Sequence, residues 1–144
     1  MRRRSGGHVA ESELELSHRI EASGVCLVSC RGVLDAHTSG RLDRLIEDVT
    51  RRGITRVACD LSEVNYIASA GVGVFVGHVN ACRENGGDLV LVHPLGFGGD
   101  GEGTGLQQGY NVLEVFNLLG LADFLRVVKT PAEALSLLEG SQPT

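Results

Sequence analysis

The sequence predicts an α/β fold: a mostly parallel central sheet of about five strands, an N-terminal antiparallel hairpin and about four helices. Three observations support this prediction. Two apolar segments of strand length follow each other near the N-terminus, separated by a short turn. Beyond them, strand-like segments alternate with segments whose apolar residues recur every three or four positions. The 144 residues, 42% of them hydrophobic, suffice for one domain with a substantial core.

The predicted hairpin lies at the N-terminal end of the domain. Residues 13–20 roughly alternate between apolar and polar side chains, as in a half-exposed strand. Residues 25–30 are almost continuously apolar, as in a buried strand, and Ser23-Gly24 between the two segments favours a turn. We therefore expect these two strands to pair antiparallel.

A helix is predicted to follow the hairpin. Either Asp35 or Thr38 is expected to cap its N-terminus, and Gly53 is expected to end it. The residues with helical spacing in this segment are Leu42, Leu45, Ile46 and Val49. Their three- and four-residue spacing predicts one apolar face directed to the core.

The central segment joins a strand to a second helix at a serine. Residues 54–61 form an apolar strand, after which the sequence becomes polar and then reaches Ser69. From there to about residue 84 the apolar side chains have helical spacing; they are Val72, Phe75, Val76 and Val79. Gly86-Gly87 is expected to end this helix. Free backbone N–H groups and the helix dipole favour negative charge where such a helix begins. Ser69 is thus either a plain N-cap or a modification site.

The C-terminal half continues the alternation. Residues 88–93 are predicted to form a buried strand, and the Gly-rich residues 95–109 a mobile loop. Asn111 is expected to cap a helix, and a short strand should follow at residues 124–128. Thr130-Pro131 is typical of a helix start, with Thr as the cap and Pro in the first turn. One domain over 11–140 is predicted, with unpatterned tails at 1–10 and 141–144.

Composition excludes several classes of function. The net charge of −5 argues against a nucleic-acid surface, which needs a clustered basic face. Because no apolar run is long enough to cross a bilayer, membrane insertion is not expected. The four cysteines lack Cys-x-x-Cys spacing, which favours buried, reduced thiols in a cytoplasmic protein over zinc or disulfides. No nucleophile–base–acid set and no metal-ligand spacing can be assembled, so neither enzyme activity nor a metal or cofactor is predicted.

Several short motifs occur in the order of one known family. Residues 32–38 are similar to its Gly-x-Leu-Asp-x-x-Thr segment, residues 60–67 to its third strand, and residues 69–73 to its Asp-Ser-Ser/Thr-Gly-Leu-Gly motif. Further matches follow at 86–92, 118–121 and 133–135, so the similarity extends in register over roughly 12–140. On these motifs the chain resembles the STAS domain, and within it the bacterial anti-sigma-factor antagonists.

The resemblance implies a phosphorylation switch at Ser69. In that family the first hydroxyl of the motif is phosphorylated by a partner that is both anti-sigma factor and serine kinase. The unphosphorylated protein binds that partner and frees sigma, phosphorylation breaks the complex, and a serine phosphatase restores it. The expected partner-binding residues are Asp35, Ala68, Ser69, Ala70, Gly71, Val72, Val74 and Asn80.

Two departures from the family motif support other hypotheses. Ala68 stands where the family has Asp, and Ala70 stands where it has a second hydroxyl, so Ser69 is the only acceptor in the motif. The alternative is a STAS scaffold or subunit without phosphorylation, of the kind found in stressosomes or associated with transporters. A third hypothesis is nucleotide binding at the strand ends, as in some relatives of the family.

Overall fold

Five strands form one mixed sheet in the part of the chain that the computed structural model describes, residues 13–94 and 124–140. The strands are β1 (Leu14–Ile20), β2 (Cys26–Leu34), β3 (Arg56–Ile67), β4 (Asp88–Val92) and β5 (Arg126–Val128). They lie side by side in chain order; β1 and β2 pair antiparallel and every other pair is parallel. This arrangement confirms the predicted α/β fold with its N-terminal hairpin.

Three helices are present in the same two stretches of chain. They are α1 (Ser39–Arg51), α2 (Ser69–Glu84) and α3 (Pro131–Gly140). About four helices were predicted, and the one expected to open at Asn111 lies outside the described residues. The predicted loop at 95–109 and the predicted tails at 1–10 and 141–144 lie outside them as well.

The helices cover the two faces of the sheet unequally. The larger core cluster joins α1 and α2 to the sheet, and it contains Leu42 and Ile46 from α1 and Phe75 and Val79 from α2, all fully buried. A smaller cluster on the other face packs Ala134 and other apolar residues of α3 against the strands. The predicted inward stripes of α1 and α2 therefore face the sheet, with Leu45 and Val76 only partly buried.

The polar end of β3 is strand rather than turn. Here the strand continues to Ile67, six residues beyond the predicted end. Parallel pairing with β2 includes two register shifts, each with one more residue on β3; the flanking pairs are Ser29–Asp60 and Arg31–Glu63, then Gly32–Val64 and Val33–Tyr66. Each shift is a β-bulge, which interrupts the alternation of side chains between the two faces. Buried positions consequently recur every third residue here, at Leu61, Val64 and Ile67.

Glycines end α1 and α2 as predicted. Gly53 has φ +93° and its N–H donates to Thr50 O, and Gly86 has φ +87° and donates to Arg83 O. The following N–H group in each case bonds one residue further back, which is the Schellman arrangement. A positive φ is costly for a residue with a Cβ atom, so glycine fixes where each helix stops.

Candidate functional site

Ser69 is the first residue of α2, and its side chain is exposed. The N-cap position belongs to Ala68, whose backbone is extended (φ −103°, ψ 173°) and whose carbonyl accepts hydrogen bonds from the N–H groups of Gly71 (2.9 Å) and Val72 (3.2 Å). No side-chain hydrogen bond caps this helix. The interpretation of Ser69 as an N-cap is therefore wrong: a capping hydroxyl must sit on the extended residue, and that residue is an alanine.

The start of α2 is hydrogen-bonded to the end of β2 and packs closely against it. The N–H of Ala68 donates to Leu34 O at 2.8 Å. Gly71, in the first turn, comes so close that a Cβ there would lie 2.9 Å from Leu34 Cβ and 3.1 Å from Leu34 O. The position of Ser69 at the sheet edge is thus set by backbone contacts and close packing rather than by a side-chain cap.

Asp35 and Thr38 organise the neighbouring turn between β2 and α1. The Asp35 carboxylate accepts hydrogen bonds from the N–H groups of His37 (2.9 Å) and Thr38 (3.2 Å). The Thr38 hydroxyl donates to Val33 O (2.8 Å) and accepts from Asp35 N–H (3.0 Å). Thr38 occupies the N-cap position of α1 but makes no side-chain capping bond. These hydrogen bonds close the turn instead of capping α1 with a side chain. Asp35 lies directly after Leu34, the last residue of β2, to which the start of α2 is hydrogen-bonded.

The exposed face of α2 differs from the predicted contact set. Three of the predicted partner-binding residues, Gly71, Val72 and Val74, are buried. Val72 is 1% exposed and Val74 is 7% exposed, because both pack into the core beneath the helix. They position the helix and are not available to a partner in this conformation. The exposed residues of α2 are Ser69, Gly73, Gly77, Asn80, Ala81, Arg83 and Glu84.

Gly73 and Gly77 were not identified from the sequence as part of the exposed face of α2. Both lie in the helix interior, and a Cβ atom at either position would meet nothing within 4 Å. Glycine costs helix stability, and neither position has a packing reason for it. The spacing Ser69, Gly73, Gly77 was the available signal, since residues four apart share one helix face.

The exposed face of α2 is uncharged over most of its length. Its charged residues, Arg83 and Glu84, lie in the last turn, about 20 Å along the axis from Ser69 at roughly 1.5 Å per residue. That separation exceeds the screening length of about 8 Å at physiological ionic strength. No charge on the exposed face of this helix therefore offsets a charge placed at Ser69.

Other reactive side chains form no second site in the described residues. Within 13–94 and 124–140, no group of three or more His, Cys, Asp or Glu could hold a metal ion, and no helix is long and apolar enough to cross a membrane. All four cysteines are buried, as predicted, and each is a free thiol in this structure. His78 on α2 is largely buried, and its Nε2 lies 2.8 Å from Asp43 Oδ1 on α1. Asp60 accepts hydrogen bonds from the backbone N–H and hydroxyl of Ser62, a local structural role.

Comparison with known proteins identifies the family. A family model described as the STAS domain matches residues 19–96, more than half of the chain. The chain belongs to the STAS domain family. An anti-sigma-B factor antagonist from Listeria monocytogenes is 29% identical to this STAS domain over 103 residues, which cover 71% of this chain and 77% of that protein. An anti-sigma F factor antagonist from Paenibacillus polymyxa is 28% identical over 80 residues, covering 55% of this chain and 66% of that protein.

Solved structures share the fold of this STAS domain. The anti-sigma factor antagonist SpoIIAA in its unphosphorylated form superposes with a TM-score of 0.67 at 18% identity, over 88% of this chain and 97% of that one. An anti-sigma factor antagonist from Mycobacterium paratuberculosis gives 0.65 at 21% identity, over 87% and 93% of the two chains. These superpositions establish a common architecture. Because the sequence identities are low, the role of each residue must be argued from the site itself.

Proposed function

We propose that this STAS domain is an anti-sigma-factor antagonist, which binds an anti-sigma factor through the start and exposed face of α2 and is released by phosphorylation of Ser69. The observation that carries the proposal is the exposed hydroxyl of Ser69 at the first position of α2, on a helix face that carries no charge before its last turn. The relatives named as anti-sigma factor antagonists support the general role. Asp35, Ala68, Ala70 and Asn80 are the further predicted contact residues that this proposal retains.

The proposed switch acts at the interface and leaves the fold unchanged. A phosphate adds about −1.5 to −2 charges. At a helix N-terminus such a charge is favourable by about 0.3–1 kcal/mol, so phosphorylated Ser69 does not unfold α2. In the complex, this charge loses hydration, and the charged residues on the exposed face of α2 lie about 20 Å away along the helix axis at roughly 1.5 Å per residue, too far to offset it. A loss of about 3 kcal/mol corresponds to roughly a hundredfold weaker binding, which suffices for a switch.

The proposed cycle needs two further proteins. The anti-sigma factor acts as the serine kinase that modifies Ser69, and a serine phosphatase removes the phosphate and restores binding. The proposal places the protein in the cytoplasm, where thiols such as its four buried, unpaired cysteines stay reduced. No catalytic role is assigned to the domain itself.

Intact-mass measurement tests the modification. The protein is incubated with ATP and, separately, with each purified anti-sigma factor of its own genome that carries a serine-kinase domain. We expect one added phosphate with one of these kinases and none in the Ser69→Ala variant. A phosphate that persists in Ser69→Ala would place the modification elsewhere and contradict the assignment.

Calorimetry with the same partner tests the switch. Ser69→Asp should weaken binding at least tenfold. Ser69→Asn is the matched control, because asparagine has about the size of aspartate without its charge, and it should bind within about threefold of wild type. The charge then accounts for the difference. If Ser69→Asp bound as tightly as wild type, we would conclude that Ser69 does not lie in the interface.

A scaffold without phosphorylation is the second candidate function. It is favoured by Ala68 and Ala70, which replace the Asp and the second hydroxyl of the family motif. An absence of phosphate with every kinase, together with self-association in sedimentation, would support this candidate. Calorimetric titrations with GTP and ATP that show no heat of binding would exclude the hypothesis of nucleotide binding.

A further inference from the structure

Strand β1 is the long edge of the sheet. It lies first in the strand order and has seven residues, whereas β5 at the other edge has three. An edge strand presents unpaired backbone groups, and proteins usually protect it by shortness, proline, lysine or a bulge. β1 contains neither proline nor lysine, and it pairs with β2 without a register shift. In the described part of the chain, no further strand pairs with its outer edge.

The hydrogen bonds at the two ends of the hairpin show which residues of β1 bond to β2. At one end, Val33 N–H donates to Glu13 O. At the other, Glu21 N–H donates to Val25 O at 2.8 Å. Hydrogen-bonded and non-hydrogen-bonded pairs alternate along an antiparallel ladder, so in this register the odd-numbered residues of β1 bond to β2. The even-numbered residues therefore direct their backbone N–H and C=O groups away from the sheet.

One of these outward groups is already bonded and the others are available. The carbonyl of Leu14 accepts a hydrogen bond from Arg41 Nη1 of α1 at 2.8 Å. No hydrogen bond among residues 13–94 and 124–140 uses the outward groups of Leu16, His18 or Ile20. The outer half of β1 thus offers a regular row of donors and acceptors to another extended strand.

The charges of β1 are complementary to those of a second copy. If two copies pair antiparallel about Ser17, Glu15 of each copy lies opposite Arg19 of the other. Both side chains are exposed. They form a non-hydrogen-bonded pair in this register, the kind in which side chains come closest, and opposite charges across strands are favourable. The neighbouring registers that keep the hydrogen bonding place Glu15 or Arg19 opposite Ser17 and lose both ion pairs.

The backbone and the apolar side chains fit the same register. It places Leu16 opposite His18 of the second copy, and both residues have outward backbone groups, so each such pair can exchange two hydrogen bonds. It also places Leu14 opposite Ile20, whose side chain is 43% exposed, an unusual value for a large hydrophobic residue of this domain. Contact across the edge would remove part of that apolar surface from water.

We propose that β1 is a self-association edge, through which two copies of this chain join their sheets into one continuous antiparallel sheet with Ser17 on the two-fold axis. Because a single pair of strands is small for an interface, the dimer is reversible and forms at high protein concentration. β2 separates β1 from β3 and α2, so the pairing leaves Ser69 exposed. The inference is independent of the proposed function, whose test remains the phosphorylation of Ser69.

Sedimentation velocity of the full chain, over a concentration series that reaches about 1 mM, tests the pairing. Wild type should show a reversible equilibrium of monomer and dimer. His18→Pro should weaken it about tenfold, because proline removes an outward N–H, and edge strands tolerate proline at such positions. His18→Ala keeps the N–H and should associate within about threefold of wild type. A wild type that stays monomeric, or equal association by His18→Pro and His18→Ala, would overturn the proposal.

Charge reversal at low ionic strength tests the register. Glu15→Arg and Arg19→Glu each bring like charges together across the interface, and each should weaken dimerisation about tenfold. An equimolar mixture of the two variants should dimerise about as well as wild type, since every cross-strand pair then joins opposite charges. Loss of the exposed ion pairs inside the chain, with Arg31 and Glu21, has little effect. A mixture that associates no better than its components would refute this register.

Disulfide trapping provides a readout that does not need a tight dimer. Ser17 faces its own copy in a non-hydrogen-bonded pair, whose Cα atoms lie about 4.5 Å apart, within the range for a disulfide. Ser17→Cys should therefore give a linked dimer with oxidised glutathione, and the buried native cysteines should not react. His18→Cys is the matched control, because its two Cα atoms lie about 8 Å apart. No linked dimer from Ser17→Cys, or equal amounts from both variants, would contradict the pairing.

Discussion

Replacing Gly71 with alanine measures how tightly α2 is seated on the end of β2. A Cβ atom at this position would lie 2.9 Å from Leu34 Cβ, 3.0 Å from Ile67 Cγ1 and 3.1 Å from Leu34 O. The nearest of these atoms is bonded directly to the β2 backbone, so it cannot rotate away as the end of a long side chain can. Leu34 and Ile67 are 0% and 1% exposed, which leaves them little room to move.

Two opposing effects set the expected magnitude. Alanine is favoured over glycine in a helix by about 1 kcal/mol. Overpacking a filled core costs about 1–3 kcal/mol. We therefore expect Gly71→Ala to lower the free energy of unfolding by about 1 kcal/mol. Gly73 offers a matched control in the same helix, because a Cβ there meets nothing within 4 Å and alanine should stabilise the domain by about 0.5–1 kcal/mol.

Urea unfolding followed by circular dichroism distinguishes the two variants. The predicted order of stability is Gly73→Ala, then wild type, then Gly71→Ala, with about 2 kcal/mol between the extremes. The denaturant dependence should be the same for all three proteins, since the surface exposed on unfolding hardly changes. If Gly71→Ala proved as stable as Gly73→Ala, α2 could shift away from β2 without loss of stability. The inferred close packing between α2 and β2 would then be wrong.

Two further predictions concern buried groups. Thr38→Val removes a hydroxyl that donates to Val33 O and accepts from Asp35 N–H, and it should cost about 1–3 kcal/mol in urea unfolding. Thr38→Ser should retain most of that stability, and a Thr38→Val protein as stable as wild type would contradict the assigned turn. Burial raises the pKa of Cys30 to about 12 and that of Cys82 to about 11, so both stay protonated at mildly alkaline pH. We expect Ellman's reagent to label the four thiols only when urea unfolds the protein, and rapid labelling of the folded protein would contradict their burial.

Much of the architecture is encoded locally and was therefore predictable. The alternation of apolar runs with helical spacing gave the correct order of strands and helices in the described residues, because each pattern depends only on near neighbours. The ends of α1 and α2 followed from Gly53 and Gly86, whose positive φ angles are local requirements as well. The motif at Ser69 likewise located the junction of strand and helix, since hydrophobic spacing changes there.

The details of the candidate site depend on contacts between distant segments. Whether Ser69 caps α2 or follows the cap is decided by the hydrogen bond from Ala68 to the end of β2, a partner 34 positions earlier in the chain. The burial of Val74, predicted as a contact residue, depends on packing against the core.

The sequence by itself therefore determined the class of fold, the order of its elements and the position of the single hydroxyl in the motif. These features follow from residue spacing, turn chemistry and the similarity of short motifs. Tertiary structure decided which side chains around that hydroxyl reach solvent. Strand register and close packing assign each side chain to the core or the surface, and both are set by residues far apart in the chain.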